Sequence, residues 1–208
     1  MPRPELWIVR HGETEWSLTG RHTSHTDVPL TATGEDQARR MAWALAGVRF
    51  DLVLSSPLQR SRQTAALLGF PDVTGEPALA EWDYGEYEGL TTEEIRRTDP
   101  GWSVWTHPSP GGESADEVRA RADWVIRRVV TEATDRALVV SHGHFLRVLA
   151  ARWMDQPATV GMHLLLDVAT LSVLGWEREA RAIRTWNLHP SPGATGGETG
   201  GGPAAGPS

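Results

Sequence analysis

The sequence predicts an α/β fold, a three-layer α/β/α sandwich built on a mostly parallel central sheet. Three observations carry that prediction. Short apolar runs of strand character alternate along the chain with segments of helical periodicity, the pattern of β-then-α units covering both faces of a sheet. The 208 residues suffice for one large domain with a sizeable core. Hydrophobic residues at 39% and charged residues at 23% are globular proportions and exclude disorder over most of the chain.

Each element has its own reason. Residues 6–9 (Leu-Trp-Ile-Val) form a first strand that ends in Arg10-His11-Gly12. Ala38, Met41, Ala42 and Leu45 recur at i, i+3, i+4 and i+7, with Thr31 or Thr33 as cap and Gly47 as stop, so this segment is helical. Residues 51–54 (Asp-Leu-Val-Leu) make a second strand. Ser56-Pro57 then opens a helix with proline at its first position and Gly69 at its end. Ser114-Ala-Asp-Glu117 is a capping box ahead of a long helix whose inward face is Val118, Ala122, Val125 and Val129. Residues 137–140 form a buried strand, followed by Ser141-His142-Gly143 and a helix carrying Leu146, Leu149, Ala150 and Trp153. Strands near 169–174 and 181–186 close the sheet. The domain is expected over residues 1–189. Residues 190–208 are Gly, Pro, Ala, Ser and Thr with one charge, Glu198, and read as a flexible tail. The glycines at 193–202 lack the strand and helix that a dinucleotide fingerprint needs.

Composition removes several function classes. A net charge of −7 disfavours a nucleic-acid partner, because counterion release requires a basic surface. The absence of cysteine excludes disulfides, thiolate catalysis and sulfur-based zinc sites. All 20 basic residues are arginine, which excludes a Walker-type phosphate loop, Schiff-base chemistry and Ser–Lys mechanisms. Guanidinium groups instead suit bidentate binding of phosphate or carboxylate; the plain alternative is genomic base bias. Asp167 interrupts the longest apolar run, residues 162–174, and residues 1–5 carry no signal-peptide core. A cytoplasmic location without a membrane partner is therefore expected, with homo-oligomerisation left open.

Ligands in such sheets sit at the carboxyl ends of the strands. The first strand delivers Arg10 and His11 there. The second delivers Ser55 and Ser56, with Arg60 one turn into the next helix, and the third delivers Ser141, His142 and Gly143. On parallel strands these groups share one edge. Two guanidiniums, two imidazoles and free helix amides then surround one pocket, which describes a phosphate site. A neutral imidazole is a competent phosphoryl acceptor, and neighbouring arginines disfavour its protonated form. A second histidine donates hydrogen bonds to oxygens that gain charge in the transition state. The departing alkoxide needs a proton, and Glu81, flanked by Trp82 and Tyr84 that favour the acid form by burial, is placed to supply it. On spacing alone Asp83, Glu86 and Glu88 compete for that role.

Arg10-His11-Gly12-Glu13-Thr14, Ser55-Ser56-Pro57-Leu58-Gln59-Arg60 with Gln63-Thr64-Ala65, and Ser141-His142-Gly143 resemble the histidine phosphatase (phosphoglycerate-mutase-like) superfamily, from about residue 5 to 186. The resemblance implies His11 as the phosphorylated nucleophile, Arg10, Arg60 and His142 as the rest of the phosphate pocket, Glu81 as proton donor, and no metal or other cofactor. Thr14-Glu15-Trp16-Ser17, Thr26-Asp27-Val28-Pro29-Leu30-Thr31, the segment 81–90 and His142-Gly-His-Phe-Leu-Arg147 look like the sedoheptulose/fructose-bisphosphatase branch. Many relatives carry Asn where this chain has Ser17, and a serine lacks the amide's reach. Ser17, Arg21, Thr23, Ser24, Tyr84, Gly143 and His144 are the expected substrate-binding positions. Mutases present basic residues after the acid, whereas Tyr84-Gly-Glu-Tyr-Glu88 is acidic.

The expected function is a metal-independent phosphomonoesterase for a small phosphorylated metabolite, a sugar phosphate or bisphosphate, acting through a phosphohistidine. A phosphoglycerate mutase and a non-hydrolytic phospho-ligand binding protein are the alternatives. A phosphoprotein phosphatase is a third; it requires an open site, against which the 93–112 insertion argues mildly. An isolated Arg-His-Gly is ordinarily structural, and only its combination with the other two strand ends makes it a site. His142-Gly-His144 on a turn does not converge on one ion. His22, His25 and His163 read as loop or rim residues. Trp43, Trp124 and Trp153 fall on helix faces as core, while Trp16, Trp102 and Trp105 are lid or substrate-contact candidates.

Overall fold

The computed structural model describes residues 3–189, so the expected tail at 190–208 lies outside the described residues. Five strands form one sheet: β1 (Glu5–Arg10), β2 (Leu52–Ser55), β3 (Arg136–Ser141), β4 (Leu171–Glu177) and β5 (Ala180–Leu188), in the order β2-β3-β1-β4-β5. The first three run parallel, with Val9 opposite Val140 and Leu54 opposite Val139. β4 alone is reversed, antiparallel to β1 on one side and to β5 on the other, so the sheet is mixed while four of its five strands run in one direction, as the expected mostly parallel sheet requires. The physical reason is the connection: only Arg178 and Glu179 separate β4 from β5, and a two-residue link makes a hairpin, never a crossover.

Side chains alternate across the sheet and define two cores. Leu6, Ile8, Leu54, Ala137 and Val139 face α5 (Ala115–Glu132) and α6 (Gly143–Trp153), which bring Val118, Ala122, Val125, Val129, Phe145, Leu149 and Trp153. Val9, Leu138 and Val140 face α2 (Ala32–Met41) and α3 (Gln59–Leu67), which supply Met41 and Ala65. The result is the three-layer α/β/α arrangement. Truncating a fully buried aromatic here, such as Phe145, costs about 3–5 kcal/mol.

Several local expectations are corrected. Pro57 precedes α3 instead of occupying its first position; the chain bends at Pro57 and the extended Leu58 is the cap. Two short helices escaped the periodicity reading, α1 (Glu15–Leu18) and α4 (Thr92–Thr98). Each starts with a capping box, Thr14 with Ser17 and Thr91 with Glu94. Trp153 is buried and donates its indole N–H to the Gly175 carbonyl at 3.0 Å. Trp43 and Trp124 are not core: they are 52% and 40% exposed, and Arg128 lies over the Trp124 ring. Among the described residues no helix is long and apolar enough to cross a membrane.

Candidate active site

The parallel ladder continues past the strand ends and fixes what emerges from them. His11 N–H donates to the Ser141 carbonyl at 3.0 Å, and Ser56 N–H donates to the Val140 carbonyl at 2.9 Å. Gly12 sits where no side chain fits. A Cβ there would lie 2.4 Å from the Gly34 carbonyl oxygen, and one on Gly34 would lie 2.1 Å from that of Glu13. This backbone approach seats the start of α2 against the turn that presents His11.

His11 and His142 meet edge to face with ring centroids 5.1 Å apart. The Nδ1 of His11 lies 2.8 Å from the Gly12 carbonyl, which only accepts, so Nδ1 carries the hydrogen and Nε2 keeps its lone pair. Burial above all, then the Arg60 and Arg10 charges, hold the His11 pKa well below its usual value. His142 is neutral for the same reasons, burial first and Arg60 next. The Arg60 Nε–H donates to His142 Nδ1 at 3.2 Å, so His142 Nε2–H is left to donate to Ser56 Oγ at 2.7 Å. Arg60 is fully buried, and its Nη groups donate to the carbonyls of Thr23, Ser24 and Thr26. Arg10 donates from Nη1 to the Leu166 carbonyl at 2.6 Å, while its buried Nε–H has no partner among the described residues.

Glu81 occupies the helix end that the sequence reading offered to phosphate. His142 caps α6 without a side-chain hydrogen bond. The amides of His144 and Phe145 donate instead to Glu81, at 3.0 Å on Oε2 and 2.8 Å on Oε1, and Trp82 N–H adds a third bond to Oε1 at 2.9 Å. Oε1 therefore accepts twice and Oε2 once. Trp82 and Tyr84 are both buried beside it.

A cavity of about 180 Å³ opens over these groups. Its lining includes Arg10, His11, Ser17, Arg21, Thr23, Glu81, Tyr84, Gly143 and His144 from the sequence reading. Arg60 and His142 lie behind His11, outside the lining. Ser24 is not a lining residue either: its hydroxyl donates to Glu88 at 2.6 Å, facing away from the cavity. The Ser17 hydroxyl is engaged locally, donating to the Thr14 carbonyl at 3.0 Å. Burial, with the Glu81 charge, pushes the Tyr84 phenol well above its usual pKa, so its O–H donates to His144 Nδ1 at 2.7 Å. Trp102 and Trp105 are buried and do not line the cavity as a lid; they pack behind His22 and His144, with centroids 5.1 and 5.3 Å away. Trp16 packs against the Gly89 backbone.

Five lining residues lie outside the predicted site, Thr14, Gly20, His22, Arg147 and Leu166, and two of them carry ionisable side chains. His22, read only as rim, sits between Tyr84 and Trp102, and burial takes its pKa to about 4. Arg147 lies over Trp105 at 4.6 Å and is fixed by the Gly161 and Met162 carbonyls. Its signal was present: Arg147 is one turn from His144 on α6, hence on the same helix face. The assembled groups form a small cationic cavity with a neutral imidazole lone pair and one carboxylate, suited to holding and transferring a phosphoryl group.

Comparison with known proteins agrees with that chemistry. The model of the histidine phosphatase superfamily (branch 1) matches residues 6–189. The acid phosphatase of Mycobacterium tuberculosis is 43% identical over 198 residues, covering 92% of this chain and 97% of that protein. The sedoheptulose 1,7-bisphosphatase of Saccharomyces cerevisiae is 34% identical over 182 residues, covering 72% and 67%. A solved structure of an open reading frame product from Mycobacterium tuberculosis superposes with a TM-score of 0.85 at 40% identity, covering 90% of this chain and 99% of that one.

Proposed function

From the premise that this chain belongs to branch 1 of the histidine phosphatase superfamily and is a phosphoric monoester hydrolase of that type, we propose that it hydrolyses a small phosphorylated metabolite, a sugar phosphate or bisphosphate, without a metal and through a phosphohistidine at His11. One observation carries this reading. His11 is a buried neutral imidazole whose Nδ1–H is held by Gly12, so its Nε2 is the nucleophilic end of a ring that lines the cavity.

In the first step the Nε2 lone pair forms a bond to phosphorus as the bond from phosphorus to the ester oxygen breaks. Glu81, with a lone pair left on Oε2, carries the proton that this oxygen takes up. In the second step Glu81 accepts a proton from water, the water oxygen bonds to phosphorus, and the N–P bond breaks to release phosphate. The unpartnered Nε–H of Arg10 is a donor for a phosphoryl oxygen, and the charge of Arg60 stabilises the same anion from behind His142. Guanidiniums thus supply the positive charge that a metal supplies elsewhere.

The cavity supports a small substrate, and two further guanidiniums in its wall, Arg21 and Arg147, favour one with a second anionic group. The yeast relative is named for a sugar bisphosphate, which points the same way. Quenching the enzyme with ³²P-labelled sugar bisphosphate under alkaline conditions traps the expected phosphoenzyme, and His11→Ala abolishes it. Absence of a phosphoenzyme, or wild-type turnover by His11→Ala, refutes the reading. Isomerisation of 3-phosphoglycerate with a bisphosphate primer identifies a mutase instead, and phosphate binding without aryl phosphate hydrolysis identifies a binding protein.

A further inference from the structure

The segment that carries Arg21, His22 and Thr23 into the cavity wall is pinned from both sides. Its backbone pairs with residues 88–91: His22 N–H donates to the Leu90 carbonyl at 2.9 Å, and Gly89 N–H donates to the His22 carbonyl at 2.8 Å. Beyond this pairing the peptides at 23–26 lie between opposite charges. Their carbonyls, from Thr23, Ser24 and Thr26, accept from Arg60 at 3.0–3.3 Å. Their amides point at Glu88, whose carboxylate accepts from Ser24 N at 2.8 and 3.0 Å, Thr26 N at 3.0 Å and Ser24 Oγ at 2.6 Å.

We infer that Glu88, which does not line the cavity, is the positioning residue of this site: by gripping the amides at 24 and 26 it holds the three carbonyls that aim Arg60 at His142 and His11. Arg60 has no carboxylate partner within salt-bridge distance among the described residues, so these carbonyls and His142 are what locate its charge. Glu88 touches neither reacting group, and its effect is transmitted through one loop. The inference rests on His11 being the nucleophile only for its consequence on rate; the positioning itself is a property of the resting protein.

The charged and titratable groups around His11 are Arg10 beside it in the chain, Arg60 from α3, His142 at the start of α6 and Glu81 across the cavity. Burial above all keeps the His11 imidazole neutral and the Arg60 charge adds to it, so the retreat of Arg60 raises the His11 pKa. Removing the negative charge of Glu88 by itself acts in the opposite direction. The sign therefore separates positioning from a direct field effect. The test is an NMR titration of the full chain labelled with ¹³C-histidine, with His11 assigned through His11→Gln. In Glu88→Gln the His11 pKa is expected to rise by roughly 0.5–1 pH unit. In Ser24→Ala, which deletes only the 2.6 Å bond, it rises by less. An unchanged or lowered His11 pKa in the folded Glu88→Gln protein overturns the proposal. If that variant does not fold, Ser24→Ala decides alone, a rise supporting the proposal and no rise overturning it. This titration needs no turnover, so a failed phosphoenzyme trap in the wild type overturns the nucleophile and leaves the positioning result standing.

Discussion

Gly143→Ala separates the placement of Arg10 from the stability of the fold. Gly143 opens α6, and an alanine Cβ there would lie 3.2 Å from Arg10 Cζ, 3.3 Å from Nε and 3.5 Å from Nη2. The first two distances are tighter than ordinary carbon contacts, so the guanidinium must move by a few tenths of an ångström. Arg10 is tethered to the Leu166 carbonyl at 2.6 Å and moves only by lengthening that bond or rotating its unpartnered Nε–H. A misplacement of about 1 Å costs about 100-fold in rate. A shift of a few tenths therefore predicts a loss of roughly five- to tenfold in kcat/KM, about 1–1.4 kcal/mol. The helix itself gains from alanine by up to about 1 kcal/mol, so Tm stays level or rises by at most about 4 °C. Steady-state hydrolysis of p-nitrophenyl phosphate with parallel thermal melts measures both quantities. A folded variant with kcat/KM within twofold of wild type refutes the assignment of Arg10 as a tightly seated phosphate ligand.

Three other outcomes follow from the same geometry. Glu81→Gln removes the proton carrier and is expected to slow alkyl phosphate hydrolysis by about 100-fold or more while slowing aryl phosphates, whose leaving groups need no proton, by less than about tenfold; equal losses argue that another acid serves. His22, with a folded pKa of about 4, protonates more readily unfolded than folded, so stability falls as pH drops from 6.5 to 4, by up to about 3 kcal/mol. Urea titrations across that range check the slope, and His22→Gln is expected to remove that share of it, the remainder coming from the buried His11, His142 and His144. Arg147→Gln is expected to raise KM about tenfold for a sugar bisphosphate and less than twofold for an aryl phosphate; matched changes for both substrates count against a second anion at the rim.

The site was legible in the sequence wherever chemistry and topology coincided. Arg10-His11, Ser55-Ser56 and Ser141-His142 each follow an apolar strand, and parallel pairing brings three strand ends together whatever the loops do. Ser24 was expected on the substrate and Glu88 as a competing acid; their pairing was not legible because it joins residues 64 positions apart in sequence through a loop, and no periodicity encodes that contact. Trp102 and Trp105 looked like lid residues because prolines surround them, yet two indoles of that size are more stable packed behind His22 and His144 than in water. Trp43 and Trp124 failed in the other direction. Helical spacing identifies a face but not whether another layer covers it.

The resting arrangement of His142 carries a last consequence. Because Arg60 Nε–H occupies His142 Nδ1, the ring can offer only Nε2–H to a phosphoryl oxygen, and in this state Ser56 Oγ holds that hydrogen at 2.7 Å. A phosphoryl oxygen that accepts from this N–H must therefore displace Ser56. Ser61 Oγ, 3.5 Å from the same nitrogen, is too distant to replace it well. Ser56→Ala leaves a buried N–H unpaired, which costs about 1–3 kcal/mol in the empty protein and nothing once an oxyanion accepts from it. The variant is thus expected to melt lower than wild type when empty and to regain most of the difference with orthovanadate, so its vanadate-induced rise in Tm exceeds that of wild type. Equal vanadate shifts in the two proteins mean that His142 keeps Ser56 as its partner throughout and does not contact the anion.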